Sequence, residues 1–170
     1  MKTLISSLLL CASALLVPLS AFACDCGYGG SFEELASKGD LAIRAKVLSY
    51  GPWKNEVHGT TIYRTMDVQV LDVLKGESQR KRIRLMGDDG RLCRPYITTE
   101  RFPIGSEMLF VLDQSRGFPI PISNCGEFWL QVKDGRVNTC RKGGKQDCST
   151  LPVADLVKRL KGSARSGVTP

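Results

Sequence analysis

The chain has 170 residues, with 24 Lys and Arg against 17 Asp and Glu, one histidine and seven cysteines. That is one domain's worth of core, and a lone histidine, His58, argues against the histidine-built sites of zinc enzymes. The basic balance fits an anionic polymer, a membrane surface or plain solubility, and the export signal described next counts against nucleic acid.

Lys2 precedes an apolar run from Leu4 to Val17 that Pro18 interrupts, too short for a membrane span and shaped like the core of a signal peptide. Ala21-Phe22-Ala23 places small residues at the two positions a signal peptidase inspects, which predicts a leader over 1–23 and a mature chain beginning Cys24-Asp25-Cys26. The alternative, lipidation of Cys24, wants a large aliphatic residue where Ala21 stands and a small one where Phe22 stands. Cys11 leaves with the leader, so Cys24, Cys26, Cys93, Cys125, Cys140 and Cys148 remain. An even set in an oxidising compartment reads as disulfides whose pairing stays open, and the spacings lack the paired C-x-x-C knuckles of a zinc site.

Ser31-Phe32-Glu33-Glu34 has the S-x-x-E pattern of a capping box, predicting a helix of roughly two turns over Ser31 to Lys38 that stops at Gly39. From Leu41 the period changes to two, with Leu41, Ile43, Ala45 and Val47 on a buried face and Ala42, Arg44 and Lys46 on the other. Gly51-Pro52 opens a polar loop that carries His58, read as a solvated loop residue. A second extended run from about Thr60 to Lys75 carries Met66, Val68 and Val70, and a short third one carries Ile83 and Leu85. Gly87-Asp88-Asp89-Gly90 reads as a turn, since adjacent carboxylates there diverge and do not form a general acid and base. Further strands surround Met108, Phe110 and Leu112, then Phe128, Leu130 and Val132, the last closing at Asp134-Gly135. Pro152 to Lys161 is an amphipathic helix, with Val153, Leu156, Val157 and Leu160 at i, i+3, i+4 and i+7, and 162–170 has the composition of a flexible tail. Five strands with a helix near each end fit a mainly β, OB-like Greek-key barrel over residues 24–161.

Cys24-Asp25-Cys26, the Asp40 to Val47 strand containing Ile43-Arg44-Ala45-Lys46, Val73-Leu74-Lys75-Gly76, Cys93 and Cys125 resemble the N-terminal, netrin-like domain of tissue inhibitors of metalloproteinases. The resemblance implies a five-stranded barrel with bonds Cys24–Cys93 and Cys26–Cys125, the first closing a loop worth about 4 kcal/mol in the chain-entropy model. Ser37 stands where the family's third disulfide begins, which leaves Cys140 to pair with Cys148. The second domain of the animal inhibitors has no counterpart here.

The same resemblance implies an exported, non-enzymatic inhibitor with no cofactor or metal of its own, whose partner is a zinc metallopeptidase. The free α-amine and carbonyl of Cys24 chelate the target's catalytic zinc and displace its water, while Asp25 enters the target's specificity pocket. A carboxylate there loses hydration worth several kcal/mol unless the pocket is basic or wet. The competing expectation is a netrin-like binding module for an anionic glycan, cell-envelope polymer or protein. It rests on Arg80, Lys81, Arg82 and Arg84 with Arg141, Lys142 and Lys145, set against the ordinary role of charge in protecting a strand edge.

Overall fold

The computed structural model describes residues 29–89, 94–140 and 148–166. Helix α1 (Phe32–Lys38) starts where the capping box requires: Ser31 Oγ accepts from the Glu34 amide at 3.3 Å and Glu34 Oε2 accepts from the Ser31 amide at 2.9 Å. It ends at Gly39, whose φ of −75° is ordinary. Glycine is needed there for space, because a Cβ would lie 2.6 Å from Val111 Cγ1.

The chain then forms β1 (Leu41–Tyr50), β2 (Lys54–Val57), β3 (Thr60–Tyr63), β4 (Thr65–Lys75), β5 (Arg82–Met86), β6 (Glu107–Leu112), β7 (Ile120–Pro121), β8 (Trp129–Val132), β9 (Arg136–Cys140) and β10 (Cys148–Pro152), followed by α2 (Val153–Ser166). Six of the strands make one sheet in the order β7-β5-β4-β1-β6-β8. All its pairings are antiparallel except that of β5 with β7. Register shifts at Ala42/Ile43, Arg44/Ala45 and Val47/Ser49 accompany the curl of this sheet into a half-barrel.

One face of the sheet holds the larger core. Leu41, Ile43, Ala45 and Val47 of β1 meet Met66 and Val68 of β4, Ile83 and Leu85 of β5, and Met108, Phe110 and Leu112 of β6, with Phe102 and Ile97 supplied by loops. On the opposite face Phe32, Leu35, Leu156 and Leu160 of the two helices bury Ala42, Leu74, Leu109, Val111 and Leu130, while Val137 and Leu151 come from the β9–β10 hairpin. Ala42 is therefore buried, against the expectation of a single buried face on β1. The helices cover the far side of the sheet at that end, whereas Lys46 farther along remains exposed.

Three further differences from the sequence pattern have local causes. The stretch read as a polar loop contains β2, whose Lys54, Asn55 and Glu56 are exposed and so show no buried period, and the extended run expected from Thr60 is divided into β3, which pairs with β2, and β4. The β2–β3 turn places His58 and Gly59 at φ 49° and 75°. The five expected strands become six in the main sheet because Ile120-Pro121 adds a two-residue edge, and the β9–β10 hairpin lies outside that sheet. Finally, Pro152 ends β10, and the last helix continues through Gly162 to Ser166 instead of ending at Lys161. Asp134 and Gly135, at φ 50° and 68°, turn β8 into β9 as the Asp-Gly signal requires. Among the described residues no helix is long and apolar enough to cross a membrane.

Candidate N-terminal docking site

Cys24, Asp25, Cys26 and Cys93 lie outside the described residues, and with them the pairings Cys24–Cys93 and Cys26–Cys125. Cys140 and Cys148 are joined, at opposed positions of the β9–β10 ladder. Cys125 is disulfide-bonded as well.

The structure does place the segment that follows the Cys24–Cys26 region. The Gly29 amide donates to the Cys125 carbonyl at 3.1 Å, and the Glu127 amide donates to the Gly30 carbonyl at 3.1 Å. Two main-chain bonds thus dock 29–30 along 125–127. The approach is close enough to demand glycine: a Cβ on Gly29 would sit 2.0 Å from the Cys125 oxygen, and Gly30 has φ 127°. Gly126, at φ 129°, faces the Gly30 oxygen and Leu35 across the same contact.

The Glu127 carboxylate gathers three donors at this point. Oε2 accepts from the Phe32 amide at 3.0 Å and from Thr139 Oγ1 at 2.6 Å, and Oε1 accepts from the Cys140 amide at 2.5 Å. The Phe32 amide is one of the helix-terminal donors that α1 cannot satisfy within itself. A single side chain therefore joins the start of α1, the β8 approach and the disulfide end of β9. Sequence reasoning did not single out Glu127, because its partners lie as far as 95 positions away and no local pattern announces them.

The remaining candidates are dispersed. Arg84 forms a two-point contact with Asp67, at 2.7 and 2.8 Å, whose hydrogen bonds hold the Asp67 carboxyl below the usual carboxylate range. Its charge is thus already matched. The Arg80 guanidinium lies 5.0 Å over the Phe118 ring, while Lys81 and Arg82 are exposed and have no ion pair among the described residues. Arg141, Lys142 and Lys145 are outside those residues. Asp88 is buried and accepts from the Arg94 amide at 3.4 Å, whereas Asp89 approaches Arg64 at 4.0 Å, so the two carboxylates serve separate contacts. His58 occupies the exposed β2–β3 turn. A cleft of about 370 Å³ beside the end of α1 is lined by Lys38, Asp40, Asp113, Arg116 and Phe128, but Asp113 and Arg116 already pair at 2.8 Å.

Comparison with known proteins gives no matching family model, curated protein or solved structure.

Proposed function

We propose that the chain is an exported, netrin-like inhibitor of zinc metalloendopeptidases, with an OB-like barrel and bonds Cys24–Cys93 and Cys26–Cys125. The observation that carries this reading is the docking of Gly29 and Gly30 on the Cys125 segment, with Cys125 itself in a disulfide. An inhibitor that works through its own N-terminus needs that terminus tethered to a rigid body, since each freely rotating residue adds to the entropy lost on binding. The curled sheet with its two helices supplies the rigid body, and Cys125 supplies a covalent tether.

The chemistry follows from the target. A catalytic zinc keeps an open position, and its bound water is the nucleophile, so a ligand that displaces the water stops the reaction. The α-amine of Cys24, with a reference pKa of about 7.7 to 8.0, has roughly a tenth of its population neutral at pH 7 and ready to donate its lone pair. The Cys24 carbonyl oxygen closes the chelate ring. Asp25 then selects targets whose specificity pocket offers a cation or water. The test is a panel of zinc endopeptidases assayed with the processed protein and with a version bearing one extra alanine before Cys24. Inhibition by the first and not the second is the expected result, and equal behaviour of the two removes the chelation reading.

A second reading, a module for anionic polymers, is favoured by Lys81 and Arg82, which stand exposed beside Arg80. Because Asp67 already neutralises Arg84, this reading expects heparin retention to fall when Arg80, Lys81 and Arg82 become Ser. It expects little change for Arg84→Ser alone.

A further inference from the structure

We infer that Glu127 is a positioning residue for the N-terminal inhibitory segment, coupling it to the Cys140–Cys148 hairpin; this rests on the chelation reading above. The covalent tether at Cys125 fixes only a distance. Orientation needs further contacts, and the described structure supplies them through one residue. The Glu127 amide holds the Gly30 carbonyl, and its carboxylate holds the Phe32 amide, so the same residue grips the chain on both sides of Ser31. The carboxylate is itself held by Thr139 Oγ1 and the Cys140 amide, on a strand stapled to β10 by the disulfide.

The Ser31 and Glu34 capping box serves only the Ser31 and Glu34 amides, so the Glu127 carboxylate completes the cap at Phe32 and, through Thr139 and Cys140, also links α1 to β9. Thr139 is buried, and its hydroxyl points at Glu127 Oε2. Ionised carboxylates accept several hydrogen bonds at once, and bonds to a charged acceptor are stronger than neutral ones. Replacing Glu127 by Gln leaves a single acceptor oxygen, which cannot serve the Phe32 amide on one side and the Cys140 amide on the other, so the link between the two elements is broken at one end.

The experiment uses the full processed protein as wild type, Glu127→Gln and Thr139→Val, the last keeping side-chain shape if the first does not fold. Amide hydrogen exchange at Gly29, Phe32 and Cys140 is measured in the free protein, and inhibition of a zinc endopeptidase in parallel. Exchange at Gly29 and Phe32 is expected to quicken about tenfold or more while Ile43 and Phe110 in the sheet keep their protection. Inhibition is expected to weaken by a similar factor. With Ile43 and Phe110 still protected, the weaker inhibition traces to the loosened segment and not to general destabilisation. Unchanged exchange at Gly29 and Phe32 in both variants overturns the positioning role. A wild type that inhibits no zinc endopeptidase overturns the functional premise instead, and the exchange data still decide whether Glu127 holds the segment.

Discussion

Gly29→Ala tests the docking contact at its tightest point. The added Cβ would lie 2.0 Å from the Cys125 oxygen and 3.2 Å from its carbonyl carbon, both main-chain atoms that no rotamer change can move aside. Relief requires the two segments to separate by about 1 Å or more, which takes the 3.1 Å Gly29–Cys125 bond beyond hydrogen-bonding range. Overpacking of this kind costs about 1–3 kcal/mol, and a lost main-chain bond adds about 1 kcal/mol net. The neighbouring Glu127–Gly30 bond is strained by the same displacement. Peeling of the segment from 125–127 caps the loss, because neither core depends on Gly29. For a domain of this size about 2–4 kcal/mol lowers Tm by roughly 6–12 °C if the segment unfolds with the whole, and by less if it opens locally. Thermal melts followed by circular dichroism, with amide exchange at Glu127, separate these cases. Gly105→Ala is the control: no atom lies within 4 Å of its Cβ, although its φ of 84° brings a backbone cost of about 1–2 kcal/mol. A Gly29→Ala protein that melts like wild type and keeps its protection at Glu127 would refute the docking argument.

Three other outcomes follow from the same geometry. Replacing Cys140 and Cys148 together by Ser opens a loop spanning a sequence separation of 8 and should cost about 2.5 kcal/mol in the chain-entropy model, read as a lower urea midpoint at unchanged m. Gly162→Ala, in open space within α2, should stabilise by up to about 1 kcal/mol. Asp67 titrates below its ordinary range because Arg84 hydrogen-bonds its ionised form, so the folded chain holds fewer protons on the acid side than the unfolded one. Its stabilisation is present above about pH 4 and is lost as pH falls through the depressed folded value. Denaturation curves at stepped acid pH should therefore show a shallower acid-side loss in Arg84→Ser than in wild type.

The features legible in the sequence were those with local causes. Ser31 and Glu34 cap each other three residues apart, Asp134-Gly135 adopts the backbone that its residue types favour, and Leu156 and Leu160 fall on one helical face whatever they pack against. The alternation of Ile43, Ala45 and Val47 shows the inward face of β1 for the same reason. What covers the outward face was not legible, since Ala42 is buried by helices formed before and long after it in the chain. Strand β2 has too few buried side chains to leave a period, and β7 is two residues beside a proline. At the candidate site the even set of cysteines pointed to disulfides, and Cys125 is in one. Glu127 was invisible because a carboxylate satisfied by the Phe32, Thr139 and Cys140 donors looks, in one dimension, like any charged residue at a strand end.

The most direct measurement of the central claim is the visible absorption spectrum of a target zinc endopeptidase whose zinc has been exchanged for Co²⁺. Adding the processed protein should shift the cobalt bands, as an amine nitrogen and a carbonyl oxygen replace the metal-bound water. The version with one extra alanine before Cys24 should leave them where they were. Bands that stay fixed while the processed protein binds, or that shift equally with both versions, would contradict the account.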